Sequence, residues 1–347
     1  MLDILNFTVY LPIAELHFPV LILIAIGFSV GVLGGFFGVG GAWVVTPALN
    51  IFGFPMAYAI GTDLAHIFGK SIVATAKHRK MGNVDVKLGL VSIVGSVVGL
   101  EIGAQNVMWL TRIGLAGPVV RYTYMFLLFG LGIYMLYDFA TKEKRAAAQA
   151  AKMAAATRSG IAVEPKKGWQ LPPMMHFPTS GITISFWTVT GVFLFTGWLS
   201  GFLGVGGGFI RMPALIYLIG CPTAIAVGTD LFSVLFAGAY GCWTYGIKGA
   251  VDVTAAVFML IGASIGAQIG VTAVKYIRGY GIRLLFAIMI IMAGVSVVLK
   301  QMELTTIAAW VVMSAALGMC VVIMAGLWKG FKKEKAEKAA YADKGGA

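Results

Sequence analysis

Charged side chains are scarce in this chain. Asp, Glu, Lys and Arg supply 12% of its 347 residues, against 59% that are hydrophobic. A large soluble core would need amphipathic helices with polar faces, and the apolar runs here have none. The runs instead match the roughly 20 residues that cross about 30 Å of hydrocarbon. Candidate spans are 19–37, 55–76, 86–109, 119–139, 183–203, 222–245, 252–275, 281–299 and 304–328, with two shorter pieces at 42–53 and 208–220. Cysteine is equally sparse: Cys221, Cys242 and Cys320 show no CxxC or metal spacing, lie in or beside apolar runs and read as small buried hydrophobes. The histidines (His17, His66, His78, His176) lie far apart and only His66 falls within a span. That argues against haem, quinone or metal ligation, so no cofactor and no metal are expected. A phosphate-binding Gly-x-x-x-x-Gly-Lys-Ser/Thr loop is missing, which argues against direct use of ATP. The first 18 residues lack Lys and Arg and contain Pro12, unlike a cleaved leader.

What is present is a duplication. Gly35-Phe36-Phe37-Gly38-Val39-Gly40-Gly41 returns as Gly201-Phe202-Leu203-Gly204-Val205-Gly206-Gly207, Pro47-Ala48-Leu49 as Pro213-Ala214-Leu215, and Gly61-Thr62-Asp63-Leu64 as Gly228-Thr229-Asp230-Leu231. Asp85 aligns with Asp252, and Gly95, Gly99 and Gly103 with Gly262, Gly266 and Gly270, at offsets of 166 to 167 residues. Two related halves, each with a glycine-rich interruption of an apolar stretch, point to a transport site where the halves meet.

The net charge of +12 lies in loops and tails, so it reads as membrane orientation rather than affinity for nucleic acid. With five membrane segments per half plus an extra helix at 304–328, the halves are inverted and the amino terminus is outside. Segments 77–87, 141–167, 275–283 and 329–347 then face the cytoplasm with 20 Lys or Arg, against four outside (Arg112, Arg121, Lys248, Lys300). A parallel arrangement splits them 13 to 11, which is no bias. The expected organisation is therefore an all-α polytopic plasma-membrane protein with two inverted, glycine-broken repeats. Residues 1–140 form the first repeat, 141–181 a cytoplasmic linker, 182–300 the second repeat, and 301–347 an extra helix with a basic, disordered cytoplasmic tail. Residues 142–158 suit either a short helix at the headgroups or a solvated linker.

Unwound backbone persists in a bilayer only where it is buried in protein or lines a cavity. Gly38, Gly40 and Gly41, followed by Ala42, and Gly204, Gly206, Gly207 and Gly208 are poor helix interiors, at about 1 kcal/mol per glycine relative to alanine. Fresh helices begun there at 42–53 and 208–220 would aim positive dipole ends at the break, where anions bind. The regular spacing of Gly95, Gly99 and Gly103 instead suits close helix contact. Only Lys70 and Arg211, among 26 Lys and Arg, lie outside loops and tails. Asp63, His66 and Lys70 share one helical face; the aligned residues are Asp230, Ser233 and Ala237. Two cations and two helix starts favour a small oxyanion. Thr62 and Thr229 are candidate hydroxyl contacts, and Asp63, His66, Asp230 and Glu101 candidate coupling or gating groups. Plainer roles stand beside these: Lys70 snorkelling to the interface, Arg211 pairing with an acid such as Glu101, Asp63 and Asp230 capping helices.

A Gly-x-Gly-Gly turn, an aromatic, a proline and a Gly-Thr-x-Leu segment, all in duplicate, resemble the TauE/SafE sulfite exporter family of membrane permeases. The resemblance covers about residues 20–139 and 185–299. It implies transport of small sulfur-containing anions such as sulfite, sulfonates or sulfoacetate, and it falls on Gly38, Gly40, Gly41, Pro47 and Thr62, and on Gly204, Gly206, Gly207, Gly208, Pro213 and Thr229. The sequence thus reads as a secondary transporter, not an enzyme, working in a lipid bilayer on a small anion, with self-association left open. The alternatives are an anion channel, or a non-transport membrane subunit of a respiratory or sulfur-metabolism complex.

Overall fold

The computed structural model describes residues 7–39, 42–159, 171–203, 208–277 and 280–344. Its helices are α1 (Val20–Phe37), α2 (Ala42–Ile51), α3 (Met56–Lys80), α4 (Val86–Arg112), α5 (Ala116–Ser159), α6 (Phe186–Leu203), α7 (Gly208–Tyr217), α8 (Thr223–Gly246), α9 (Val253–Ala273), α10 (Tyr280–Gln301) and α11 (Thr305–Lys344). Eight are long and apolar enough to cross a membrane, among the described residues. The 25-residue α3 is not one of the eight, because it carries Asp63, His66, Lys70 and a basic last turn.

Beyond α3, two features depart from the expectation, the hairpins and the helical carboxyl end, while residues 142–158 take the helical one of their two alternatives. Antiparallel hairpins β1 (Thr8–Leu11)–β2 (Leu16–Pro19) and β3 (Met174–Phe177)–β4 (Ile182–Ser185) precede α1 and α6. Four-residue strands are too short to show as an alternating pattern, but they extend the duplication upstream of the glycine motifs. Residues 142–158 continue α5 as helix to Ser159, and the end expected to be disordered continues α11 to Lys344. Alanine, lysine and glutamate in both stretches are strong helix formers. In the second, Glu334 also accepts bonds from Lys275 Nζ at 2.8 Å and Tyr276 Oη at 2.7 Å.

The halves pack through each other. α1 runs alongside α9 in the same direction, Gly27, Gly31 and Gly35 facing Met259, Ala263 and Ala267 while Gly262, Gly266 and Gly270 face Ile24, Phe28 and Val32. α4 and α6 repeat this: Gly95, Gly99 and Gly103 face Thr190, Leu194 and Trp198. A Cβ at any of these glycines would run into a backbone carbonyl of the facing helix, so the spacing read as close helix contact is that. α3 and α8 run antiparallel, with Gly61 against Ala250, Leu64 against Gly241, and Ile67 and Phe68 against Gly238. α5 and α10 are antiparallel too, Arg121 meeting Gln301 at one end and Asp138 meeting Arg283 at the other. Exchanging the halves turns the α1–α9 pair into α6–α4 and leaves α3–α8 and α5–α10 as they were. α11 has no counterpart; it lies on α10, α1 and α2.

The aligned acids Asp85 and Asp252 are the N-caps of α4 and α9, accepting from Leu88 and Ala255 N–H at 3.0 Å. Each also ties down the hairpin of the opposite half. Asp85 accepts from the Ser180 N–H and hydroxyl, and Asp252 from the Ile13 and Ala14 N–H groups.

Enlarging a glycine in the α4–α6 or α1–α9 seam should lower stability by about 1–3 kcal/mol, the usual scale of overpacking. Gly99→Leu and Gly266→Leu should therefore melt well below wild type in detergent. Gly191→Ala, where a Cβ meets nothing within 4 Å, should melt with it. Equal melting temperatures for all three variants would show that the seams do not depend on glycine.

Candidate anion site where the halves meet

α1 ends at Gly38, whose φ of 80° puts it in the left-handed region and whose N–H bonds the Gly34 carbonyl. A Cβ there would strike the backbone of Val227 in the opposite half; one at Gly208 would strike the backbone of Val39. The two breaks therefore touch, first half against second. Gly40, Gly41, Gly204, Gly206 and Gly207 lie outside the described residues. Ala42 opens α2 and Gly208 opens α7.

One turn into α7, Arg211 is fully buried. Its Nη1 stands 3.6 Å from Asp230 Oδ1, an ion pair longer than a hydrogen bond. None of its three guanidinium nitrogens, and neither Asp230 oxygen, has a hydrogen-bond partner among the described residues. The guanidinium carbon sits 5.3 Å from the Phe193 ring centroid, a cation–π contact. Asp230 lies one turn along α8 from Val227, so Gly38, Val39, Gly208, Arg211 and Asp230 come together at one place. An arginine so buried, with its forked donors unfilled, suits a planar or tetrahedral oxyanion.

The other half is built differently. Asp63 Oδ2 accepts from Thr46 Oγ1 at 2.9 Å, and His66 Nδ1 lies 3.4 Å from Asp63 Oδ1. His66 Nε2 has no partner among the described residues. Lys70 lies two turns beyond Asp63, about 10 Å along the axis. It is fully buried and its Nζ also has no hydrogen-bond partner among them, so it does not snorkel to the interface. The α3–α8 register puts Lys70 nearly opposite its aligned residue Ala237. Two lysines there would repel at close range; the chain keeps one. Ser71, Thr75 and Ser200 bury further hydroxyls with no partner among the described residues, and nothing in the repeat pattern marked them.

Several sequence-stated roles change. Asp63 and Asp230 are not caps: α3 and α8 start after Pro55 and Pro222, well upstream. Thr62 and Thr229 each accept, at 2.9 Å, the N–H of the opposite half's cap, Asp252 and Asp85. Gly61 and Gly228 let the loop before that cap approach, since a Cβ would meet the carbonyl oxygen of Ala250 or Asn83. In each Gly-Thr-Asp, then, glycine admits the opposite half, threonine holds it, and aspartate supplies buried charge. Glu101 stands apart from the buried cluster, about one-third exposed, and pairs with Lys248 and with the Tyr240 and Thr244 hydroxyls rather than with Arg211. His78, read as part of a cytoplasmic loop, is buried, and its Nε2 lies 3.1 Å from the Gly35 carbonyl. Its aligned residue Tyr245 bonds the Gly201 carbonyl at 2.7 Å, and Tyr124 the Leu203 carbonyl at 2.7 Å. These side chains occupy carbonyls that the interrupted helices α1 and α6 leave open.

Apolar helices crossing a bilayer, two of them interrupted where the halves touch, with buried charge at the interruption, define a polytopic membrane transporter. The chain belongs to the sulfite exporter TauE/SafE family, which it matches over residues 23–297. It is 26% identical over 282 residues to the probable membrane transporter protein YunE of Bacillus subtilis, covering 79% of this chain and 95% of that one. A probable membrane transporter protein of Xylella fastidiosa (strain 9a5c) is 26% identical over 247 residues, 71% of this chain and 79% of its own. MJ0441 of Methanocaldococcus jannaschii, also a probable membrane transporter protein, is 39% identical over 85 residues, 22% and 32% of the two chains. No solved structure matches this chain.

Removing one member of a buried ion pair strands the other, typically at about 3–5 kcal/mol. Arg211→Met and Asp230→Leu should each destabilise strongly in denaturation experiments, and the double variant should recover most of the loss. Losses that simply add would show that the two do not act as a pair.

Proposed function

We propose that the chain is a secondary transporter of a small sulfur-containing oxyanion, sulfite, a sulfonate or sulfoacetate, moved by alternating access between two inverted halves. The observation that carries the anion is Arg211, fully buried, its guanidinium without a hydrogen bond among the described residues, one turn from Gly208, where the breaks touch. Lys70 adds a second buried cation, and α2 and α7 begin beside the breaks with their positive dipole ends. The family's sulfite exporter description supports the choice among oxyanions.

Inversion is supported by helix direction. In inverted halves α1 and α9 run the same way and α3 and α8 opposite ways, as they do here; parallel halves would reverse both relations. The 20 to 4 division of Lys and Arg then puts the linker and the carboxyl end in the cytoplasm. Rocking of one half against the other about the breaks would expose the site to each side in turn. Asp63 with His66, one shared proton site against Thr46, would couple the cycle to protons.

The test is thermal stability of purified protein against sulfite, thiosulfate, sulfoacetate, taurine, sulfate and chloride. A ligand at about 100 times its dissociation constant stabilises by roughly 2.7 kcal/mol. Sulfur oxyanions should stabilise and chloride should not; Arg211→Ala should abolish the shift and Arg112→Ala should keep it. No shift with any sulfur anion, or equal shifts in both variants, would refute the site. In proteoliposomes, Asp63→Asn should leave anion binding in place and make transport insensitive to an imposed pH gradient; unchanged sensitivity would remove Asp63 from coupling.

A further inference from the structure

The α5–α10 seam, where the last helices of the two repeats run antiparallel, ends differently at its two mouths. At one, Asp138 and Arg283 pair at 3.5 Å, Tyr217 Oη donates to Asp138 at 2.9 Å, and Arg283 Nη2 donates to Thr223 Oγ1 at 3.1 Å. Acid and base cancel there, and four helices are tied together. The other mouth holds Arg121 and Lys300, two cations, with no ion pair to either among the described residues. Arg121 Nε donates to the neutral amide oxygen of Gln301, at 2.9 Å.

These two cations line one cleft with Asn50. All three are partly exposed and form its rim. Its floor is buried: Pro47, Ile51, Met56, Tyr124 and Val297. The enclosed part is about 10 Å³, room for about one water, so a larger guest sits at the rim. The floor leads inward. Pro47 follows Thr46, the partner of Asp63, and Tyr124 Oη reaches the Leu203 carbonyl at the end of α6.

We propose that Arg121, Lys300 and Asn50 form a second, peripheral anion site that takes up a small free oxyanion. Two like charges held at one rim repel each other, and an anion between them removes that repulsion while filling the Arg121 guanidinium fork and the second amide proton of Asn50, whose Nδ2 already donates to the Phe54 carbonyl at 3.0 Å. The binding stands on this geometry alone; its part as a station on the way to Arg211 rests on the transport reading. The same chemistry would receive a lipid headgroup phosphate, so the test separates the two sources.

Lys300 is acetylated with an N-hydroxysuccinimide ester on the full-length protein in detergent, and its rate is read by mass spectrometry beside Lys248, which already pairs with Glu101 at 3.9 Å. Millimolar sulfate should slow Lys300 about threefold or more and leave Lys248 unchanged, beyond what ionic screening does to both. Arg121→Gln should lose the protection, Arg121→Lys should keep part of it, and Arg211→Ala should keep it in full. That last result separates this site from the one at the breaks. Equal slowing of both lysines, or protection that survives Arg121→Gln in protein melting like wild type, would overturn the proposal. Protection by short-chain phosphatidylglycerol with none by sulfate would assign the cleft to lipid and overturn it equally.

Discussion

Backbone touches backbone along the two long seams where one half of this protein meets the other, and glycine is what permits it. Lipid tails are as apolar as leucine, so helices in a bilayer associate through packing rather than through exclusion of water. The α1–α9 and α4–α6 seams therefore need close approach over several turns, and Gly31, Gly35, Gly99, Gly103, Gly266 and Gly270 supply it. Each seam joins different halves, so neither half completes its own packing. The interrupted helices α1 and α6 are positioned by the opposite repeat, which is why the breaks they carry come to rest against each other.

Around that junction the copies diverged where charge is concerned and stayed alike where geometry is. Glycine and threonine of the Gly-Thr-Asp segments, the caps Asp85 and Asp252, and the hairpins serve equivalent contacts in both halves, whereas Asp63 meets Thr46 and His66 and Asp230 meets Arg211. Arg211 stands where the first half has Val45, and Lys70 where the second has Ala237. A buried charge in a low-dielectric interior is tolerable only when something offsets its lost hydration. Arg211 has one carboxylate at 3.6 Å and no hydrogen bond among the described residues. Lys70, nearly opposite its aligned residue, is a charge that the two halves have to share.

Most of the spans, α3 excepted, were legible because apolar runs of this length have few other uses, and the breaks were legible because clustered glycines recur at a fixed offset. Lys70 and Arg211 stood out as cations inside apolar sequence, and both are buried. The partners of the repeated polar residues were not legible. Thr62 bonds a backbone N–H nearly two hundred residues away, and His78 sits in a basic stretch that reads as a loop although its ring caps Gly35. Contacts between halves leave no local pattern. Aligned acids such as Asp85 and Asp252, each directly before an apolar run, were the one available sign of the caps. The hairpins failed to show because four residues carry too little alternation, and the helical carboxyl end because its charge outweighed its helix propensity.

The claim on which the account turns is that an oxyanion occupies the place where the breaks touch. The direct measurement is the anomalous scattering of selenate, a heavier analogue of sulfate, bound to crystals of the protein. The account predicts a peak within hydrogen-bond distance of the Arg211 guanidinium that disappears in Arg211→Ala. Selenate bound only at other positions, or a peak at the breaks that persists without Arg211, would contradict it.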